Sequence, residues 1–484
     1  MATAALVTGL VGCGDEGGSS GPVEVPATYA FESQLEPGES SVSYPGQVMR
    51  QVLIADLADR INDMDSDIPA SFTPTMDGDV VTELDAFFRF NSGTSGNQTP
   101  RLTTDPEALQ ETYDDISTDK DLVGKLAGND SGDTDHKDWS NEFGGWSDES
   151  IADHGGSIGS PEGLVVAFFE TFEELAIAQV GGPRLDDEGD PIPVYVADDG
   201  RDLKQLIQKF LLGAVTFSQA ADDYLDDDVD GKGLLTDNVE PYKGTEPYTA
   251  LEHQWDEGFG YFGAAADYGD YRDAEIAGKD DTHPDVRSDY AGGSHDTDGD
   301  GRIDLESEYN FGNSVNAGKR DLGANVDPDF TGQAFQAFLT GRAIINAAVG
   351  RPLTDEEMAD LKEQRDLAVE AWEKAIVATI VHYINDTIVE TGHIGTPEDY
   401  DFATHAKVWS EMKGFALGLQ FNPRSPLSDE DFTTLHTLIG DAPVLEEAGA
   451  ADYRDDLLAA RDLLQQAYGF DEANMGDANG EGGW

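Results

Sequence analysis

Apolar residues recur every three to four positions over most of this chain, and that period commits it to helices packed on one another. From Leu164 to Val180 they fall at 164, 165, 168, 169, 172, 175 and 176, one face of a helix. Ser160-Pro161 in front reads as an N-cap with proline at the first helical position. Leu203 to Tyr224 repeats the pattern through Leu206, Phe210, Leu211, Val215 and Phe217. Thr354-Asp355-Glu356-Glu357 is a capping box that opens a long helix through Trp372, Ile376, Ile380 and Tyr383. Ser428 and Asp431 form a weaker box opening residues 429–439, and residues 446–468 close the pattern. Strand signals are few. The best, Pro191-Ile192-Pro193-Val194-Tyr195-Val196, is read as one edge of a hairpin. About ten helices joined by long acidic loops such as residues 128–145 predict an all-α bundle. The expected organisation is a signal remnant and tether over 1–28, one helical domain over 29–469, and a flexible tail over 470–484.

The chain carries 98 Asp and Glu against 29 Lys and Arg, a net charge of −69, spread over its whole length. That excludes phosphate-driven nucleic-acid binding, which needs a positive face, and polybasic membrane-surface attachment. With 38% hydrophobic and 9% aromatic residues there is still material for a core. A carboxylate surface with few lysines suits concentrated salt, where a Debye length of about 3 Å screens self-repulsion. The expected source is halophilic.

Ala4 to Val11 is apolar but far too short to span a bilayer. It ends in Leu10-Val11-Gly12-Cys13, which resembles a bacterial lipobox with Cys13 as the lipid-bearing residue, and Cys13 is the only cysteine. The Gly/Ser-rich stretch after it suits a tether. No Lys or Arg precedes the apolar stretch, a departure from the positive leading region of export signals. The expectation is an exported, membrane-anchored lipoprotein.

Asp296-Thr297-Asp298-Gly299-Asp300-Gly301-Arg302-Ile303-Asp304 carries the strongest chemical signal. Asp296, Asp298 and Asp300 occupy loop positions 1, 3 and 5, Gly301 takes the turn at 6, Arg302 offers its carbonyl at 7, and Asp304 stands at 9. Such hard oxygen ligands suit Ca²⁺. Position 12 is Ser307, so Glu306 or Glu308 must close the shell; the bland alternative is a solvated acidic turn. A second candidate loop contains Asp226, Asp228 and Asp230, with Asp237 at position 12. Both loops are expected to tie down helix connections.

Trp255-Asp256-Glu257-Gly258-Phe259-Gly260-Tyr261 can be laid on Trp409-Ser410-Glu411-Met412-Lys413-Gly414-Phe415, giving W-x-E-x-x-G-aromatic twice with His253 and His405 upstream. This is read as approximate internal duplication, with glycine permitting close helix approach. His253 with Glu257 four residues on, and Asp256 between, has the spacing for a transition-metal or ligand site, for acid–base catalysis, or for a satisfied core histidine. His405 and Glu411 are the corresponding pair. No H-E-x-x-H, G-x-S-x-G or phosphate-loop motif occurs.

Several segments resemble bacterial lipoproteins grouped as domain-of-unknown-function family 4856: Tyr29-Ala30-Phe31-Glu32, Ser40 through Gln47, Leu251 through Gly263, Ile303 through Gly312 with Lys319-Arg320-Asp321, and Trp409 through Phe415. The resemblance implies a relative of the imelysin-like proteins, which are helical, exported and often found in iron-regulated loci beside outer-membrane transporters. Imelysins carry G-x-H-x-x-E, associated with peptidase activity and with metal or ligand binding. Here His253 matches the His, Leu251 stands at the glycine, and Asp256 stands at the acid with Glu257 next. The expected function is a lipid-anchored, calcium-stabilised protein that binds a metal or small ligand, accessory to uptake, with iron the candidate cargo and a transporter or surface protein as partner. The rival readings are a metallopeptidase using His253 and Glu257, and a surface scaffold for other proteins.

Overall fold

The computed structural model describes residues 23–130, 134–147, 158–186, 189–396 and 398–484. The Cys13 anchor therefore lies outside the described residues. Among those described the fold is all-α: α1 (Pro45–Asp67), α2 (Asp79–Phe88), α3 (Ser92–Ser95), α4 (Tyr113–Ile116), α5 (Pro161–Gln179), α6 (Leu203–Leu211), α7 (Ala250–Phe262), α8 (Asp273–Ile276), α9 (Gly312–Gly323), α10 (Phe330–Ala347), α11 (Asp355–His393), α12 (Phe402–Leu417), α13 (Asp429–Ile439) and α14 (Glu447–Tyr468).

The axis is α11, whose 39 residues span about 58 Å at 1.5 Å per residue. Its capping box is formed: the Thr354 hydroxyl accepts from Glu357 N–H and the Glu357 carboxylate accepts from Thr354 N–H. Arg351 grips the same carboxylate through two bonds of 2.7 Å, which with these donors holds Glu357 down at about 2. Helices α9, α10, α12 and α14 pack along α11, while α1 packs on α2, α6 and α7. Trp372, Ile376, Val377, Ile380, Val381, Ile384 and Ile388 lie buried along the axis, within one apolar cluster that runs from Tyr29 to Trp484.

The two W-x-E-x-x-G segments serve the same packing purpose twice. A Cβ on Gly260 of α7 would lie 2.8 Å from Tyr44 Cβ and 2.9 Å from Gln47 Cβ at the start of α1, and one on Gly414 of α12 would lie 2.8 Å from Lys209 Cβ of α6. Each acid reaches across its own crossing, Glu257 to Gln47 at 2.8 Å and Glu411 to Lys209 at 3.5 Å. Each Trp is buried and donates its indole N–H to the neighbouring structure, Trp255 to Phe338 O and Trp409 to Tyr453 Oη and Ile439 O.

Three local expectations change. The periodic stretch 203–224 is α-helical only to Leu211 and continues as π-helical turns over Leu212–Phe217 and Gln219–Tyr224. There the backbone of Gly213 meets that of Gly418, where a Cβ would stand 2.6 Å from Gly418 Cα, and nearly every side chain is buried on all sides. Pro191–Val196 makes only single bridges, Leu185 with Pro191 and Val196 with Asp202, because its two prolines lack the N–H a ladder needs. The tail is docked rather than loose. Trp484 is 6% exposed, donates its indole N–H to Arg320 O at 2.9 Å, and packs on Phe330 and Phe470, while Asn385 donates to the carbonyls of Met475 and Trp484. Trp484→Ala is expected to lower stability by about 3 kcal/mol, read as a lower denaturation midpoint at constant salt. A shift under about 0.5 kcal/mol would mean the tail is not held in solution.

Candidate metal centre

In the loop after residue 294, oxygens of Asp296, Asp298 and Glu308 lie within 4.8 Å of one another, the one such group of three among the described residues. Gly299 at φ +75° and Gly301 at φ +85° supply the left-handed turns that a side chain would resist. Asp296 accepts from Gly299 N–H at 2.7 Å and Gly301 N–H at 2.9 Å, and Asp300 accepts from Arg302 N–H at 2.8 Å. Glu308 is 3% exposed and accepts from Thr297 N–H at 2.7 Å and Asp304 N–H at 2.8 Å. The acid that stands with Asp296 and Asp298 is thus at position 13.

The other expected ligands are used differently. Glu306 accepts from Tyr44 N–H at the start of α1, and burial pushes its carboxyl up to about 7. Asp304 accepts from Gln110 Nε2, Glu306 N–H and Ser307 Oγ. Asp300 and Arg302 fall outside the three-carboxylate group, and the Arg302 guanidinium donates to Ala108 O. Ile303 packs inward, 1% exposed, as its position in the motif requires. An all-carboxylate donor set with hard oxygens fits a divalent cation of the calcium type.

The loop is stitched to three separate parts of the fold. Leu109 N–H donates to Ile303 O and Ile303 N–H to Glu107 O; Ala266 N–H donates to Ser307 O and Phe311 N–H to Gly263 O at the end of α7; and Glu306 caps the backbone at Tyr44. A cation here would fix the relative positions of the 107–110 segment, α7 and α1.

The second loop does not assemble. Asp226 accepts from Arg424 Nη1 at 2.6 Å and from Asp228 N–H, Asp227 is paired with Arg365 and Lys362, and Asp237 accepts from Val239 and Glu240 N–H. Asp228 and Asp230 join no three-acid group. Arg424 thus holds Asp226, one of the expected ligands, while the α11 cations Arg365 and Lys362 hold Asp227 beside it.

The His253 segment sits on α7, whose capping box joins Thr249 and Glu252. Its acids point to different partners. Asp256 is fully buried and accepts from Tyr29 Oη and Arg342 Nε, each at 2.8 Å, and from Ser43 N–H at 3.2 Å. Burial raises its pKa against the pull of Arg342. Glu252 accepts from Arg342 Nη1 at 2.8 Å. His253 instead contacts Ser43 O through Nδ1 at 3.1 Å, has Nε2 3.8 Å from Glu257 Oε1, and lies against the rings of Tyr242 and Tyr248. The expected His253, Asp256, Glu257 trio is therefore split between two faces of the helix. His405, which burial holds down at about 4, meets Thr391 and Tyr400, while Glu411 is flanked by Lys209 and Lys407.

Residues 161–274 match the family described as Domain of unknown function (DUF4856). The segment runs from the start of α5 into α8, so it includes His253 and the 226–237 loop and stops before the Asp296 loop. No curated protein and no solved structure matches the chain.

Several buried groups escaped the sequence reading. Gln219 donates to both Asp130 and Asp223 at 2.7 Å on the second π-helical turn, and burial together with Asp130 raises Asp223 to about 8. Burial raises Asp321 and Glu373 to about 7. The one sequence signal for Arg342 is that it is the only charged residue between Phe330 and Val349.

Two outcomes are expected. In calorimetric titration Glu308→Gln weakens calcium binding by at least about tenfold while Glu306→Gln leaves it within about threefold; equal losses would contradict the assignment. Asp223, Asp321 and Glu373 keep protons in the fold that the unfolded chain gives up near pH 4. Stability from these groups is therefore lost as pH rises from about 4 to about 8. With chelator present and salt constant, Asp223→Asn should shrink whatever loss of melting temperature the chain shows between about pH 5.5 and about pH 8, and an unchanged difference would refute the protonation of Asp223.

Proposed function

We propose that this chain is an exported, lipid-anchored helical binding protein that uses calcium as a structural clamp and serves the uptake of a metal or small ligand, with iron the leading candidate. The observation that carries the calcium part is the convergence of Asp296, Asp298 and Glu308 on a loop bonded at once to the 107–110 segment, the end of α7 and the start of α1. A cation bound only by the folded chain stabilises it by mass action. The lipobox-like Leu10 to Cys13 segment and the net charge of −69 support the reading of an anchored protein in a saline habitat. Partnership with a membrane transporter or surface protein belongs to the same reading.

The metallopeptidase reading draws less support from the geometry. Asp256 is committed to Arg342 and Tyr29, and His253 is packed against two tyrosines with one ring nitrogen on a backbone carbonyl. The test is elemental analysis of protein purified in molar salt without chelator. About one calcium per chain, lost in Asp298→Asn, is the expected result. Stoichiometric iron or zinc that disappears in His253→Ala would move the metal to α7 and overturn the clamp as the principal site.

A further inference from the structure

Glu373 lies midway along α11, 1% exposed, at the floor of a cavity of about 370 Å³ between α11, the 422–426 segment and the C-terminal end of α14. Its carboxylate accepts three hydrogen bonds: Oε1 from Ser425 Oγ at 2.7 Å and Tyr468 Oη at 3.0 Å, Oε2 from Asn422 Nδ2 at 2.7 Å. All three donors favour the ionised acid. Among the described residues no Lys, Arg or His pairs with it, although every other charge lining the cavity is matched. Lys374 is held by Glu370 at 2.6 Å, Asp366 by Arg365 at 2.6 Å, and Arg424 by Asp226 at 2.6 Å. A buried acid surrounded by donors yet lacking a counter-cation is neutralised in one of two ways, by keeping its own proton or by taking a cation from outside. The walls suit an organic one. Val369, Pro426 and Ala467 are apolar, and the Tyr468 ring completes the lining. A metal ion would want several oxygen ligands, whereas the groups around Glu373 already direct their protons at its oxygens.

We propose that this cavity binds a small organic ammonium ion, with the charged group on Glu373 and the carbon skeleton against Val369, Pro426, Ala467 and Tyr468. The volume is within the range of small-molecule sites, and an ammonium beside Tyr468 also gains cation–π attraction. The same chemistry is offered by a simple amine and by the ammonium end of an amino acid. For the latter, Arg424 at the rim has a buried Nε without a hydrogen-bond partner, 3.9 Å from Asp366 Oδ1. The site is separate from the calcium loop and stands or falls without it.

Binding is coupled to a proton. Burial holds Glu373 up at about 7, so below that pH an arriving ammonium must displace the proton from its carboxyl. The other ionisable groups facing the cavity are Asp366, Glu370 and Lys374 on α11, Arg424 on the connecting segment, and Tyr468 on α14. The first three and Arg424 are tied in the ion pairs above.

The full chain, in constant molar salt, is titrated calorimetrically with butylamine hydrochloride, with norvaline and with sodium butyrate. Saturable binding of butylammonium or norvaline at about pH 8, weakening roughly tenfold by about pH 6, is expected, with no binding of butyrate. Butylammonium binding marks a simple amine as the source, and norvaline binding alone marks an amino acid. Glu373→Gln should weaken binding at least about tenfold without lowering the melting temperature. If that variant fails to fold, Ala467→Trp, which fills the cavity from its partly exposed wall, should abolish binding and leave Glu373 in place. Absence of saturation by both ammonium probes up to about 50 mM, equal binding of butyrate, or unchanged affinity in either folded variant would overturn the proposal.

Discussion

The guanidinium of Arg342 has no exposed surface and stands 2.8 Å from both Glu252 Oε1 and Asp256 Oδ1 on α7, with Nη2 on the Ser41 carbonyl and hydroxyl and its centre 4.9 Å from the Phe31 ring. One cation thus holds α10, α7 and the segment leading into α1. Two carboxylates against one guanidinium would leave excess charge in the core, and further donors meet both acids: Tyr29 Oη and Asn346 Nδ2 share the oxygens that Arg342 holds, while Ser43 N–H and Thr249 N–H take the other two. Removing one member of such a buried set typically costs about 3–5 kcal/mol because the others are left unpaired.

The consequences run outward from that point. Asp256 fixes Ser43, and the next residue, Tyr44, is where Glu306 of the acidic loop caps the start of α1. Gln47, one turn further, meets Glu257, and Gly260 lets the two helices close. The candidate calcium loop and the His253 segment are therefore joined through residues 41–47. On this view the histidine-acid segment is part of the packing of α7, and the loop is the adjustable element set against it.

Helix starts were legible because capping is a local event. Ser160, Thr354 and Ser428 accept from the N–H three residues on, as their spacing requires. Features set by distant partners were not legible. The π-helical turns after Leu211 accompany the backbone meeting of Gly213 and Gly418, 205 positions apart. The 226–237 loop has the composition of a metal loop, but Arg365 and Arg424 reach it from far along the chain. Spacing alone puts Asp256 and Glu257 within reach of His253, and only Arg342, 86 residues beyond Asp256, decides that Asp256 faces inward. Glu373 stands next to Trp372 on a helix that the sequence does predict, but its role depends on Asn422, Ser425 and Tyr468, which lie far along the chain. The final tryptophan was a signal in itself, since so large an apolar group is seldom left in water.

The central claim is that a cation at Asp296, Asp298 and Glu308 tightens the contacts between the loop, α7 and α1. Hydrogen–deuterium exchange with calcium and with chelator, at one salt concentration, tests it most directly. The account predicts slower exchange with calcium at the amides of Thr297, Gly299, Gly301 and Asp304, extending to Leu109, Ala266 and Tyr44, with the centre of α11 unchanged. Protection confined to α7 around His253, or no calcium-dependent change in the loop, would contradict it.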